Sequence, residues 1–438
     1  MTVLQIPDLA PATEFTLPET VERTLDNGLT VLAIRRPSVP LVEVRLRVPF
    51  AYADVAISSV MAQTLMSGTS DKTIVDIAAE LQTVGGALSA AVDSDRFLVA
   101  GNALVDGLPR LLGSLAEVLE GASYPDDQVA MERERLADRI NVARQQPSHV
   151  AQVALLKRMY DGHPYAVQTP EPEEVNGVSS DDVRAMHAAR MHPGGATLVV
   201  VGDLPAEKAL DAAATALSTW NGASTPRELE AAPLLLPGPI TFVDRPDSVQ
   251  SSIRVAATGL PRTHPDNAAQ QLANLVYGGY FSSRLVANIR EGKGYTYSPR
   301  STVDHGKAGS AVVVSADVAT EVTAPALWEM WYEMGRIASV APDDDELEQA
   351  RRYALGTLRL GTATQAGLAS LASSFAGYDL RPDWLLGHAN RLATVSADEV
   401  RRVASEIFAP SRAVTLVLGD GAAVRESLEV LGQVDDAA

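Results

Sequence analysis

Two stretches of this chain repeat the same order of sequence signals, one in each half of its 438 residues. The first begins at Val178 and the second at Val395, and both open with a Ser and acidic residues before a helical run that stops at Pro. Each is followed by an apolar strand closing on Gly-Asp, at 196–203 and 414–420, and then by another helical pattern. Because the two units lie about half a chain length apart, the sequence predicts a tandem duplication.

The remaining patterns predict a similar mixture of strands and helices in both halves. Near the start, Asp26-Asn27-Gly28 joins two β-rich runs as a hairpin corner, and the next run alternates apolar with charged residues. We therefore predict two tandem homologous α+β domains, at residues 1–220 and 240–438, with a Pro-rich linker at 221–239. Each domain is expected to be a mostly antiparallel β-sheet covered by helices. The alternative is one large α/β enzyme whose halves agree by coincidence.

The composition restricts the classes of function. The formal net charge is -19, which repels polyphosphate and anionic lipid and argues against nucleic-acid or membrane partners. The absence of cysteine excludes disulfides and cysteine-ligated metals, and it fits a reducing compartment. No uninterrupted apolar stretch reaches the roughly 18 residues of a membrane helix, and the N-terminus lacks a signal-peptide pattern. We expect a soluble, cytoplasmic protein.

Several motifs, taken in order, make the chain resemble a known family. They are T-L-D-N-G-L-T-V near the start, G-H-P-Y in the middle, and G-G-Y-F-S-S-R-L followed by N-I-R-E-G-K-G-Y-T-Y-S in the second half. With the duplication, they resemble the pitrilysin and mitochondrial-processing-peptidase family of insulinase-like inverzincin metallopeptidases over nearly the whole chain. The resemblance implies a clamshell of two such chains, with an extended peptide bound to an edge strand inside it.

The residues that bind zinc in that family are replaced in this chain by residues of other types. Members that cleave peptides carry H-x-x-E-H on the first helix of the first half, and here Ser59 and Gln63 stand at the two His positions and Ala62 at the catalytic Glu. The third ligand, a Glu on a later helix, is matched by Arg139, with Glu134 nearby. Zinc needs nitrogen, sulfur or carboxylate ligands and a base for its water. We therefore expect no metal and no cofactor in this chain.

A second pair of family residues is intact. The resemblance implies an Arg and a Tyr, seven positions apart, that reach over the zinc site of the other half-molecule, and here they are Arg290 and Tyr297. Glycines after Arg290 should end its helix, so we expect Tyr297 at the start of a strand and both side chains facing one cavity. The positions aligned with the pair in the first half are Gln82 and Ser89. The fold by itself therefore does not require an Arg and a Tyr there.

The residues around the pair are expected to have structural roles. Tyr295, on the same strand face as Tyr297, and Phe281 are predicted to pack in the core. The Gly278-Gly279 corner with Arg284 is predicted to set a turn rather than to bind phosphate, because no P-loop pattern follows it.

These observations predict the zinc-less subunit of a heterodimeric zinc metalloendopeptidase. The chain is expected to be inactive alone, while a homologous catalytic sister carrying H-x-x-E-H supplies the zinc and the general base. Arg290 and Tyr297 would bind the peptide and stabilise the transition state at the sister's site. The alternatives are a non-enzymatic scaffold, resembling the core proteins of respiratory complexes, and a metal-free peptide-binding homodimer. The pair discriminates between them, since a scaffold does not need both residues.

Overall fold

The computed structural model describes residue 16 and residues 18–222 and 227–437 of the chain. Parts of the predicted domain and linker ranges fall on residues 1–15, 17, 223–226 and 438, which lie outside the described residues. Within the described ranges the chain forms two six-stranded sheets, one in each half, both flanked by helices. The predicted α+β fold with a duplicated half is confirmed.

The first half follows the strand and helix order expected from the sequence. Its strands are β1 (Thr20–Thr24), β2 (Thr30–Arg35), β3 (Leu41–Pro49), β4 (Ala87–Val92), β5 (Arg96–Leu104) and β6 (Thr197–Gly202). Its helices are α1 (Val55–Thr64), α2 (Ile74–Thr83), α3 (Leu108–Gly121), α4 (Asp126–Arg144), α5 (Pro147–Tyr160), α6 (Pro172–Gly177), α7 (Ser180–Arg190) and α8 (Ala206–Ala216). The corner between β1 and β2 contains Gly28 at φ 87°, a conformation that favours glycine.

The second half repeats this order. Its strands are β7 (Ile240–Asp244), β8 (Gln250–Gly259), β9 (Arg300–His305), β10 (Ser310–Ala319), β11 (Val414–Gly419) and β12 (Val434–Asp436). Its helices are α9 (Asn267–Asn274), α10 (Thr323–Ser339), α11 (Asp344–Ala363), α12 (Gln365–Ala376), α13 (Pro382–Thr394), α14 (Ala397–Ile407) and α15 (Gly421–Glu429), with π-helical segments at Leu275–Gly279 and Val286–Gly292. Among the described residues, no helix combines the length and apolarity that crossing a membrane requires.

The repeated sequence signals form the same local structure in both halves. Ser179 caps α7 in a capping box with Asp182, and Ser396 caps α14 in a capping box with Glu399. In each box the Ser hydroxyl accepts from a backbone N–H of the first turn, and the carboxylate accepts from the backbone N–H of the Ser. The helix starts that the sequence predicted are therefore set by local hydrogen bonds.

The two sheets have equivalent topologies apart from one edge. Their strand orders are β1-β2-β6-β3-β5-β4 and β12-β7-β11-β8-β10-β9. The pairs β2–β6 and β7–β11 are parallel, whereas the strands that follow them in each order pair antiparallel. The outer place beside β2 is taken by the preceding strand β1, while that beside β7 is taken by β12 from the end of the chain. At the opposite side, β4 and β9 are the edge strands.

One helix from each half packs on the sheet of the other half. Helix α5, from the first half, packs on β8 and β11, where Leu155 lies in one buried cluster with Leu416. Helix α12, from the second half, packs on β3 and β6, where Leu368 is buried with Val199. Both faces of β6 and β11 are consequently covered, which accounts for the continuous apolar runs in these two strands. Each half thus keeps its own main core, and two smaller buried clusters join the halves.

The described end of the predicted linker is extended and bonded to both halves. Residues 227–238 form no helix or strand. The backbone N–H of Glu230 donates to the hydroxyl of Tyr52 at 3.1 Å, in the first half. Further on, the N–H of Ala232 donates to the carbonyl of Ala308 at 2.8 Å, in the second half. This part of the chain is therefore held at its place by hydrogen bonds along the junction of the halves.

Candidate functional site

The four positions of the expected zinc site lie on α1 and α4. Helix α1 is capped by Asp54, whose side chain accepts from the N–H of Ile57 at 2.9 Å. Ser59 and Gln63 are one turn apart on its surface, and the guanidinium of Arg139 on α4 donates to the side-chain oxygen of Gln63 at 3.4 Å. The structure thus brings two of the predicted positions into direct contact through a side-chain hydrogen bond.

These residues do not fit a zinc ion. A hydroxyl, an amide and a guanidinium replace the imidazoles and the carboxylate that zinc takes as ligands. At the position of the general base stands Ala62, which has no carboxylate. Its side chain is 3% exposed and packs in the core of the first half. Glu134 is exposed on α4. Over the described ranges, no three His, Cys, Asp or Glu side chains are grouped in a way that could hold a metal ion.

The second predicted site, Arg290 and Tyr297, is assembled on the second half. Arg290 lies on the π-helical segment Val286–Gly292, and the chain leaves the helix through Lys293 and Gly294, which has φ 66°. The helix end and turn between the two residues are therefore as predicted. The strand is not: Tyr297 lies in an irregular stretch, and β9 begins only at Arg300.

The guanidinium of Arg290 contacts two aromatic rings. The central guanidinium carbon lies 4.6 Å from the ring centroid of Tyr297 and 4.7 Å from that of Phe281, both within the range of a cation–π interaction. The Nε atom of Arg290 also pairs with the carboxylate of Glu291 at 3.0 Å. The rings are largely in solvent, with Phe281 63% and Tyr297 80% exposed. We name Phe281, Arg290 and Tyr297 the aromatic clamp.

The prediction for Phe281 is wrong, and that for Tyr295 is only half right. Phe281 was expected in the core, yet its ring is exposed because it covers Arg290 instead of an apolar surface. Tyr295 does pack against the core of the second half. It does not share a strand face with Tyr297, because neither residue belongs to a strand.

The base of the aromatic clamp is fixed by buried polar contacts. We name the helical residues 284–292, which include the π-helical segment Val286–Gly292, the clamp helix. Arg284, at its start, donates two hydrogen bonds of 2.7 Å to the carboxylate of Glu346. This side chain therefore joins the clamp helix to α11, and the same pair of bonds lowers the pKa of Glu346. Asn288, in the middle of the helix, donates to Glu329 and Glu333 at 2.9 Å. These contacts hold the helix that presents Arg290 against α10 and α11.

Tyr297 is placed by its neighbour in the sequence. The hydroxyl of Thr296, a buried residue, donates to the carbonyl of Asp317 on β10 at 2.6 Å. With Thr296 held inward, the adjacent Tyr297 projects into solvent. In the first half the aligned residues are Gln82 on α2 and Ser89 on β4, both exposed. Neither can reproduce the stacking of a guanidinium on a ring, so the aromatic clamp is specific to the second half.

A cavity of about 770 Å³ lies where the two halves meet. It is lined by both halves and includes Ser59, but Arg290 and Tyr297 are not among its lining residues. The lining contains no Lys or Arg and four aspartates, namely Asp54, Asp93, Asp95 and Asp304.

Hydrogen bonds across this cavity tie the halves together. Tyr165, from the first half, donates its hydroxyl proton to Asp95 at 2.6 Å and accepts from the N–H of Ala308 in the second half at 2.9 Å. The N–H of Lys307 donates to the other carboxylate oxygen of Asp95 at 3.0 Å. Burial and the nearby positive charge of Arg262 lower the pKa of His305, beside them, to about 3, so this imidazole is neutral at physiological pH.

Comparisons with known proteins give a consistent result. Residues 57–173 match the insulinase model of peptidase family M16, and residues 177–353 match the peptidase M16 inactive domain. An uncharacterized zinc protease of Streptomyces coelicolor is 23% identical over 375 residues, which are 82% of this chain and 80% of that protein. A probable inactive metalloprotease of Bacillus subtilis is 23% identical over 228 residues, 51% of this chain and 53% of that protein.

Two further matches are a respiratory subunit and a solved structure. Subunit 1 of the mitochondrial cytochrome b-c1 complex of Bos taurus is 25% identical over 274 residues, 60% of this chain and 56% of that protein. The crystal structure of a peptidase M16 inactive domain from Pseudomonas fluorescens superposes with a TM-score of 0.84 at 22% identity, covering 92% of this chain and 98% of that one. The whole described architecture, with both halves, is thus a fold already seen in crystals.

Proposed function

This chain belongs to the insulinase family of peptidases, M16, as a member without the zinc-binding motif, and we propose that it is the zinc-less subunit of a heterodimeric metallopeptidase. One observation carries the proposal. The first half has no residues for a metal at Ser59, Gln63 and Arg139, whereas the second half presents Arg290 beside the exposed ring of Tyr297. An Arg and Tyr pair without a metal site in its own chain is what we expect of a subunit that completes the active site of a second chain.

The chemistry of the pair fits peptide hydrolysis at a partner's site. The terminal nitrogens of Arg290 can donate to a substrate carbonyl or carboxylate, and the hydroxyl of Tyr297 can donate to the oxygen that gains negative charge in the transition state. Both groups act as donors in this role, so they bind and orient the peptide and stabilise charge. We assign the zinc and the general base, which activates water, to a homologous sister chain carrying H-x-x-E-H.

An extended peptide is the substrate class that the sheets favour. Strand β4 is an edge strand whose exposed residues, Ala87, Ser89 and Ala91, are small and uncharged. Edge strands of natural proteins usually carry charges, prolines or bulges that prevent pairing with another chain. An edge without these features, next to α1, offers backbone groups to which an extended peptide can add as a further strand. We propose that this edge faces the chamber formed with the sister chain.

The distribution of exposed aromatic residues supports a partner for the second half. In the described parts of the chain, the exposed large aromatic side chains all lie there: Phe281, Tyr297, Trp328, Tyr332 and Tyr353. The exposed large hydrophobics of the first half are aliphatic. Aromatic residues are enriched in protein–protein interfaces, so we expect the sister chain to cover this half. The lack of cysteine leads us to place the complex in the reducing cytoplasm.

Similarity to a respiratory subunit supports a second candidate, a scaffold without catalytic function. The relative is subunit 1 of the cytochrome b-c1 complex. A scaffold protein would keep the fold and its interfaces, while its catalytic residues could be replaced by others. The aromatic clamp argues against this candidate, because the terminal nitrogens of Arg290 have no hydrogen-bond partner among the described residues and so suit a substrate-binding donor. A metal-free homodimer that only binds peptides is the third candidate, and it is separated from the first by the presence of a catalytic partner.

The test is reconstitution with the H-x-x-E-H sister encoded in the same genome. We expect no cleavage of a fluorogenic peptide library by the chain alone and cleavage by the pair. Arg290→Ala and Tyr297→Phe should lower kcat of the pair by about 10- to 100-fold, the effect of losing a transition-state donor. Arg300→Ala, an exposed arginine at the start of β9, is the matched control.

The outcomes separate the candidates. Cleavage or stoichiometric zinc in the lone chain contradicts the proposal. An inactive but stable pair favours the scaffold, and a chain that binds peptides only as a homodimer favours the third candidate. A pair that keeps full activity after both substitutions shows that Arg290 and Tyr297 do not act in the reaction.

A further inference from the structure

Phe281 is an exposed aromatic residue whose ring contacts a charged group. It follows the Gly278-Gly279 corner in the turn before the clamp helix, and 63% of it is in solvent. Its ring lies 4.7 Å from the guanidinium carbon of Arg290. An exposed phenylalanine adds little to core stability, because most of its apolar surface stays in water. Its position is therefore explained by Arg290 rather than by packing.

Little else orients the guanidinium of Arg290. The ion pair with Glu291 engages Nε, but Glu291 is the next residue in the helix and its side chain is 58% exposed, so the pair is weak and screened. No hydrogen bond from the two terminal nitrogens is found among the described residues. The ring centroids of Phe281 and Tyr297 lie 4.7 and 4.6 Å from its central carbon. These two ring contacts are therefore the main restraint on the orientation of the group.

The turn that carries Phe281 is fixed at short range. A Cβ atom on Gly279 would lie 2.7 Å from the side-chain nitrogen of Asn274, so the corner closes only with glycine there. Asn274 in turn accepts from the hydroxyl of Ser301 on β9 at 2.6 Å. The corner that precedes Phe281 is thus linked by hydrogen bonds to β9, the strand that follows Tyr297 in the sequence. The two rings of the aromatic clamp approach Arg290 from two segments held to each other.

We propose that Phe281 is a positioning residue that keeps the guanidinium of Arg290 oriented for the substrate. This inference rests on the proposed function, since it concerns how Arg290 acts at the partner's site. Phe281 itself does not contact the reacting atoms. It restricts the rotation of Arg290, so that the donors meet the substrate oxygen without an entropic loss in the transition state. Its effect should therefore appear in kcat and should depend on the presence of Arg290.

The experiment is a double-mutant cycle in the reconstituted pair, at sister-chain concentrations that saturate activity. The variants are Phe281→Leu, Phe281→Trp, Arg290→Ala and the double variant Phe281→Leu/Arg290→Ala. Phe281→Leu should lower kcat by about 2- to 5-fold, the range expected for one exposed cation–π contact, and leave KM largely unchanged. Phe281→Trp should restore kcat, since it keeps a π face. The double variant should match Arg290→Ala.

Val75→Ala, which trims an exposed apolar side chain on α2 of the first half, is the control and should leave kcat unchanged. Equal loss of kcat on Phe281→Leu with and without Arg290 would overturn the inference, because Phe281 would then act independently. The inference would also be overturned if Phe281→Trp lowered kcat as much as Phe281→Leu does. The same holds if Phe281→Leu impaired only KM. If Arg290→Ala itself has no effect, the proposed function fails first and the inference fails with it, so the two failures are distinguishable. Thermal unfolding of each lone chain confirms that the variants are folded.

Discussion

Restoring three zinc ligands should give this chain a metal site. The variant is Ser59→His, Gln63→His and Arg139→Glu, with Ala62 left in place. Arg139 already reaches within 3.4 Å of the Gln63 oxygen. Glutamate is about two bonds shorter than arginine, and a zinc ion between the new side chains adds roughly 4 Å, two metal–ligand bonds of about 2 Å each. The metal therefore spans the gap that the longer guanidinium now fills.

The size of the effect follows from known zinc sites. Structural zinc sites in small peptides contribute about 10–16 kcal/mol, and a site with three protein ligands should lie near the lower end. A value of about 10 kcal/mol corresponds to a Kd below about 10⁻⁷ M. At a hundredfold excess of zinc over Kd, the folded state gains about 2.7 kcal/mol, which should raise Tm by about 3–8 °C.

The assay measures both binding and its consequence. Zinc content after gel filtration should be one ion per chain, a competing chromophoric chelator gives Kd, and thermal unfolding with and without zinc gives the shift. The two-ligand variant Ser59→His/Gln63→His is the matched control and should bind far more weakly. Without a carboxylate at position 62, none of these variants should cleave peptides. A folded three-ligand variant that takes up no zinc would refute the reasoning, because α1 and α4 would then not present these positions to one ion.

Two further predictions concern stability. Glu346→Gln removes the charge paired with buried Arg284 and should cost about 3 kcal/mol at pH 7. Because the pKa of Glu346 is held below its ordinary value of 4.5, the stabilisation is full at neutral pH and is lost as the pH falls below that value. Urea titrations from pH 7 to pH 3 should thus show a steeper decline for the wild type than for the variant, and parallel curves would contradict this. Gly306→Ala places a Cβ 2.4 Å from the Tyr165 hydroxyl and should lose about 1–3 kcal/mol. A wild-type Tm in Gly306→Ala would show that the bonds between the halves adjust without cost.

The duplicated fold could be predicted because its signals are local. The capping boxes at Ser179 and Ser396 use residues three positions apart, and the hairpin at Gly28 uses one turn. Apolar runs at β6 and β11 likewise indicate strands covered on both faces. The sequence does not show what covers them, since a helical period reveals an apolar face without naming the sheet it meets. The crossing of α5 and α12 between the halves was therefore not predicted.

The candidate site was predicted only in part, for a similar reason. The family motifs identified Arg290 and Tyr297, and the glycines between them predicted where the helix ends. The Tyr-x-Tyr alternation suggested a strand, but the bond from Thr296 to β10 holds this stretch away from a regular ladder. Phe281 was assigned to the core because it is apolar, although its partner proved to be a guanidinium. Phe281 and Arg290 lie nine positions apart, and no pattern in the sequence marks their contact.

The exchange of helices between the halves has a consequence for synthesis of the chain on the ribosome. The face of the first sheet that contains Val199 and Val201 is covered by α12, whose last residue is Ala376. At about 5–20 residues per second, ribosomes need roughly 10–35 s to add the intervening chain. For that time the nascent first half presents an uncovered apolar sheet face, and so offers a binding surface to a chaperone. A truncated chain that ends before α12 is expected to aggregate, because the helix that covers this face is never made.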